Sequence, residues 1–397
     1  MRKLSLSLLP LLVFLAPVGA KLSRLRARAV APVAAAAATE ADEATAREVR
    51  QRIARAKQLL EARKVEPGPD EVALAVEDTD GGQIHVVTLP KATLLQQGAS
   101  AQVVSSLGET LEVSVVRPNY VNTALRVSDA AGRELTPLVV EYPRTEGKKV
   151  KEIAYYTSAH PALNAPALTR DGGAYIRQTL DAAAADLRAR GEKIDPSVVE
   201  VAARLCVVEH TDHKRFTNED HASIFREIET LYALNAGDTY RYSVSTAGAG
   251  GMIQMIPKTY AGIRANHPGA GLEADFVSGM QNHANATRAM LLYIQDTWKD
   301  LARRDQIKQA LASGTATQAE LLAAGYNSNP MKLADYLERG GDSWRTLIPA
   351  ETQMYLRIYA EVDSLVYGNS PTQPSQDATL AATTKPVADP RQVEAGD

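Results

Sequence analysis

The sequence predicts a multidomain fold in which a small antiparallel, sandwich-like β domain precedes a mainly α domain. Three observations lead there. The chain has 397 residues, more than one hydrophobic core usually organises. Residues 70 to 146 carry short β-rich runs separated by turn signals. From about Asp171 the apolar residues recur instead at the period of a helix buried on one face.

The N-terminus opens Met1-Arg2-Lys3, continues through a short apolar core and ends in small residues at Val18 and Ala20, the pattern of a secretory signal over 1–20. That core is shorter than the roughly 20 residues of a spanning helix, and no later segment is long and apolar enough to span a membrane. The expected location is the cell envelope, either periplasmic or secreted. Residues 21–69 are expected to form a linker and one solvated helix. The stretch 21–41 is basic and then alanine-rich, with little that could pack. From Asp42 to Lys64 charges alternate around a stripe of Val49, Ile53, Ala56 and Leu60, and Pro67-Gly68-Pro69 ends the helix.

Residues 70–160 make the β-rich accessory domain. Strands are expected at Val72 to Val76, Ile84 to Leu89, Leu111 to Val116, Ala124 to Val127 and Leu135 to Val140, with turns at Asp80-Gly81-Gly82 and Asp129 to Gly132. This spacing favours an antiparallel sandwich or barrel over βαβ units. No cluster of His, Asp, Glu or Cys within it suggests chemistry, so the expected role is binding or spacing, with a cell-envelope protein as the candidate partner.

Residues 165–367 carry the helical pattern. Tyr175, Ile176, Leu180, Ala184 and Leu187 share one face before Gly191. Asp195 is a candidate N-cap and Pro196 suits the first helical position of a helix whose stripe is Val198, Val201, Leu205 and Val208. Further helices are expected around Pro257 to Ala265, Ala284 to Lys299, Thr317 to Gly325 and Thr352 to Tyr367; Thr317 and Glu320 match a capping box. The tail 368–397, rich in Pro, Ser, Thr, Gln and Asp, has the composition of a disordered segment.

Charge and cysteine content exclude several classes. With 44 Lys+Arg against 47 Asp+Glu, the net charge of -3 offers no basic field for DNA or RNA. The single cysteine, Cys206, lies in an apolar run and cannot form an intramolecular disulfide. His210, His213 and His221 with Asp212 and Asp220 match no established metal-ligand spacing, so neither a metal nor a cofactor is expected.

Two features point to chemistry. Glu209 continues the apolar face of Ala202 and Leu205, so its carboxyl should be partly dehydrated and its pKa raised. A carboxylic acid still protonated near neutrality can donate its proton to a glycosidic oxygen. The second feature is Ser245 to Thr259, where Gly248, Gly250 and Gly251 permit close backbone approach and Gln254 offers a donor and an acceptor for sugar hydroxyls or an N-acetyl group.

The segment Ser245-x-x-Gly248-Ala249-x-Gly251-Met252-Ile253-Gln254-Met255-Ile256-Pro257-x-Thr259 resembles the signature of soluble-lytic-transglycosylase (SLT) domains, whose fold is that of goose-type lysozyme. Glu209-His210, Ala324-Gly325-Tyr326-Asn327 and Glu351-Thr352-x-x-Tyr355 resemble three further motifs of that family in the same order. The resemblance spans about 165–367 and implies a lysozyme-like catalytic domain. It implies Glu209 as the catalytic acid and base, and Gly251, Met252, Gln254, Tyr326, Asn327, Glu351 and Tyr355 as residues shaping a groove for peptidoglycan strands. It also implies cleavage between N-acetylmuramic acid and N-acetylglucosamine with formation of a 1,6-anhydro ring. Two departures stand out: His210 replaces the customary serine, and Gly251 follows Glu209 by 42 residues, so a helical insertion is expected around His221 to Asn235 that could lid or reshape the groove.

Two rivals accompany this reading. A goose-lysozyme-like hydrolase would need a second carboxylate, for which Asp212, Glu219, Asp220 and Asp238 are candidates. A wall-binding scaffold would keep the groove without the chemistry.

Overall fold

The computed structural model describes residues 31–64, 67–79 and 82–368, the side chains of 31–38 excepted. The expected signal over 1–20 and the tail beyond Gly368 lie outside these residues. Helix α1 (Ala31–Glu61) leads into strands β1 (Glu71–Glu77) and β2 (Ile84–Pro90), the short α2 (Lys91–Leu94), and β3 (Ser100–Val104), β4 (Thr110–Arg117), β5 (Ala124–Asp129), β6 (Glu134–Glu146) and β7 (Lys149–Tyr156). The remainder is helical: α3 (Pro166–Ala189), α4 (Pro196–Val208), α5 (His213–Asn218), α6 (His221–Asn235), α7 (Pro257–Asn266), α8 (Phe276–Gln281), α9 (His283–Leu301), α10 (Asp305–Ser313), α11 (Gln318–Asn327), α12 (Leu333–Gly340) and α13 (Ala350–Val362).

The expected arrangement, a lysozyme-like α domain preceded by a sandwich-like β domain, is corrected in its β half. The strands form one antiparallel sheet in the order β2-β1-β6-β5-β4-β3, with β7 also on β6, and the sheet rolls into a nearly closed barrel rather than two packed layers. The long β6 is the reason. It pairs with β1 along one edge, and with β5 and then β7 along the other, so no break separates two sheets. The ends approach where the turn after β3 meets β2: Ser106 N–H donates to the Val86 carbonyl (2.8 Å) and Val86 N–H to Ser106 Oγ (3.0 Å). Strand count and spacing are alike in a sandwich and a barrel; only pairing separates them. The unexpected strands β3 and β7 have polar or charged residues interrupting the apolar pattern.

β1 shows why both faces of a strand are apolar here. Val72, Leu74 and Val76 point into the barrel core, while Ala73 and Ala75 face outward into a second cluster with Ala46, Val49, Ala56 and Leu60 of α1. The stripe read as belonging to a solvated helix is therefore packed. Arginines of this segment neutralise two buried strand carboxylates: Arg52 and Arg55, between the apolar residues, bind Glu77, and Arg63, just after the helix, binds Glu141.

The barrel core runs without interruption into the helical core, through Tyr156 at the end of β7 and Tyr232, Leu231 and Ile228 of α6. Helix α6, where the insertion was expected, is thus a buried strut between the two halves. Asn235 at its end binds Thr157 with both amide atoms, accepting from its N–H at 2.8 Å and donating to its carbonyl at 2.9 Å. Glu227 on the same helix pairs with Arg117 of β4 and Arg215 of α5. At Gly172 of α3 an added Cβ would lie 1.8 Å from the Glu229 carbonyl oxygen, so a glycine is what lets α3 and α6 pack this closely.

Candidate functional site

Helix α4 begins at Pro196 and is buried along almost its whole length, which places Glu209 at the end of an apolar column. Its N-cap Asp195 does not bond the helix N-terminus with its side chain; the carboxylate instead accepts from the Gln295 amide at 3.0 Å. Glu209 closes the last turn, its N–H bonded to the Leu205 carbonyl (2.9 Å), and its half-buried carboxyl faces a cleft. The Tyr355 hydroxyl donates to Glu209 Oε1 at 2.5 Å. Burial pushes the Glu209 carboxyl up to about 8; the nearby Glu351 carboxylate adds to the rise and the Tyr355 hydrogen bond opposes it. Tyr355 is itself buried, one helical turn after the exposed Glu351 on α13, so that helix supplies both the proton donor and the neighbouring charge.

The glycine segment is the opposite wall. Val244 and Gly250 bridge as a tight antiparallel turn, with Ser245 N–H bonded to the Ala249 carbonyl and Ser245 Oγ accepting from the Ala249 N–H. Gly251 has φ +70, and a Cβ there would meet the Met280 carbonyl at 2.3 Å, so both conformation and space demand glycine. Met252 and Ile253 are fully buried beneath this wall. Gln254 adopts a left-handed conformation, φ 46, which costs a non-glycine residue about 1–2 kcal/mol. Its amide nitrogen is held by the Gly251 carbonyl at 2.8 Å and lies 3.3 Å from Ser243 Oγ, which fixes the amide at the cleft lining.

Helix α11 ends on the remaining wall. The Tyr326 hydroxyl donates to the Ile253 carbonyl (2.7 Å), which fastens this helix to the glycine segment, and its ring meets Tyr293 edge-on at 5.6 Å. Asn327 accepts from the Thr352 hydroxyl at 2.8 Å, leaving its amide N–H groups for a ligand. The cleft, about 720 Å³, is lined by Glu209, Gln254, Tyr326 and Asn327, together with Met255, Thr259 and Tyr293. A further hollow of about 840 Å³ continues from Thr259 and Tyr293 towards Asn266 and Met331, extending the cleft into a groove. Gly251 and Met252 lie behind the wall and Glu351 and Tyr355 behind the acid; they shape the site without lining it.

His210 acquires a role that its sequence neighbourhood did not reveal. Its Nε2–H donates to the Met252 carbonyl (2.9 Å) and its ring stacks on Tyr240 at 3.5 Å, which ties the residue after the acid directly to the glycine wall. Burial holds its pKa down to about 3, so it stays neutral and adds no charge beside Glu209. Tyr293 is the cleft residue sequence reasoning missed; as a single aromatic within a helix it carried no signal.

The four carboxylates considered as a second catalytic group have other partners. Asp212 caps α5, Glu219 pairs with Arg215, Asp220 caps α6 and Asp238 pairs with Arg241, and none lines the cleft. Among the described residues no group of three or more His, Cys, Asp or Glu is placed to hold a metal, and no helix is long and apolar enough to cross a membrane. In comparisons with known proteins, no family model, curated protein or solved structure matches the chain.

Proposed function

We propose that the protein is a peptidoglycan lytic transglycosylase of the SLT kind, acting at the cell envelope on glycan strands. One observation carries the reading: a carboxyl whose pKa burial raises to about 8 is the sole carboxylate among the residues lining the cleft. Glu209 then protonates the glycosidic oxygen between N-acetylmuramic acid and N-acetylglucosamine. As a carboxylate it next takes the proton from the C6 hydroxyl of the same muramic sugar, whose oxygen attacks C1 and closes the 1,6-anhydro ring. The nucleophile is intramolecular, so its effective concentration is high and the reaction needs no second carboxylate to activate water. The Gln254 oxygen and the Asn327 amide offer an acceptor and a donor to an N-acetyl group or sugar hydroxyls.

Mass spectrometry of peptidoglycan digested by the purified protein tests the proposal. Anhydro-muramic ends from the wild type and none from Glu209→Gln are expected. Reducing muramic ends would place the protein with the hydrolases; binding without cleavage by the wild type would leave a wall-binding scaffold.

A further inference from the structure

A second carboxyl is buried away from the groove. Glu229 on α6 is 6% exposed, and no hydrogen bond or counter-ion holds its side chain among the described residues. Such a group is costly to bury: an unpaired carboxylate in a low-dielectric site is destabilising unless it is protonated or a ligand pairs it. It is not sealed in the core. It lines a cavity of about 950 Å³ between α3, α6 and the turn Asp363–Tyr367 that follows α13.

The cavity is built around that carboxyl. An added Cβ at Gly173 would lie 2.9 Å from Glu229 Oε1, so glycine on α3 leaves the carboxyl its place. Phe225, Leu365, Val366 and Tyr367 make the apolar walls. Two arginines also line the cavity, both already engaged: Arg170 with Asp42 and Glu43 of α1, and Arg226 with Asp220. Their three carboxylate partners offset the two guanidinium charges, which leaves Glu229 as the carboxyl on the cavity lining with no counter-ion. That balance favours a cation over an anion. Apolar walls leading to a buried carboxyl suit a methylene arm ending in an ammonium group, the shape of a lysine side chain.

We propose that this cavity is a binding site for a ligand carrying a primary ammonium group on an unbranched aliphatic arm, such as a peptide amine, with Glu229 as its counter-ion. The site is separate from the groove and does not depend on the reaction assigned to Glu209. Burial lifts the Glu229 carboxyl to about 7, so ligand binding must ionise it and should weaken as pH falls below that value. The other titratable or charged groups around it are Arg170 and Arg226, paired with Asp42, Glu43 and Asp220, and Tyr367, whose hydroxyl burial raises far above this range.

The test uses n-pentylamine and its neutral analogue 1-pentanol, titrated into the full chain near pH 8 and followed by chemical-shift perturbation. Saturable millimolar binding of pentylamine is expected, at least about tenfold tighter than pentanol, and weakened about tenfold or more in Glu229→Gln. The loss should shrink at pH 6, where the wild-type carboxyl is largely protonated. Equal binding of the amine and the alcohol, equal binding by the variant, or no saturation by the wild type would each overturn the proposal. The amine-to-alcohol ratio in the wild type decides the matter even where the variant fails to fold.

Discussion

Replacing Glu209 with Gln should stabilise the protein, and by an amount that grows with pH. The folded carboxyl has its pKa raised from 4.5 to about 8. Between these values the folded state holds a proton that the unfolded chain has released, so stability falls as pH rises through the window. At about 1.4 kcal/mol per pH unit, the wild type loses about 3 kcal/mol by pH 7 and levels off near 5 kcal/mol above pH 8. Because the cleft leaves the carboxyl partly open to water, half of this, about 2 kcal/mol at pH 7, is the lower bound. Glutamine keeps the size and an oxygen for the Tyr355 hydroxyl and has no proton to lose. Urea unfolding of both proteins from pH 5 to 8.5 measures the difference, in which the titration of Glu229 cancels. A flat difference across that range would refute the assignment of Glu209 as a protonated acid.

Further expectations follow from the same contacts. Glu351→Gln removes a charge that raises the Glu209 pKa, so the alkaline limb of the pH–activity profile should move down, whereas Tyr355→Phe removes a bond that lowers it and should move that limb up while reducing the rate about tenfold. Gly251→Ala combines a left-handed φ with a contact at 2.3 Å from the Met280 carbonyl, and thermal unfolding should show a loss of at least about 2 kcal/mol. Asn235→Ala cuts both bonds to Thr157 and should cost about 1–3 kcal/mol, with hydrogen exchange rising at the α6–β7 junction.

The division of labour between sequence and tertiary structure is visible residue by residue. The β-rich runs of β1, β2, β4 and β5 and the helical stretches of α3, α4 and α9 are local patterns, and each element lies close to where its pattern begins and ends. Thr317 and Glu320 form the capping box because that motif needs only four consecutive residues. The candidate site was legible as residue types, since Glu209, Gln254, Tyr326 and Asn327 share one cleft. Its electrostatics were not legible: the Glu209 pKa depends on Tyr355, 146 residues further along the chain, and on Glu351 beside it.

By itself the sequence determined the order of the elements, their periods and the chemical types offered to a groove. Tertiary packing decided the rest. It rolled the sheet into a barrel, because β6 is long enough to pair along both edges; it made α6 a strut rather than a lid, because its apolar face is covered by α3 and the barrel end. It raised the pKa of Glu209 above its ordinary value, because desolvation is set by which distant groups close around a side chain, and neighbours in sequence do not specify that.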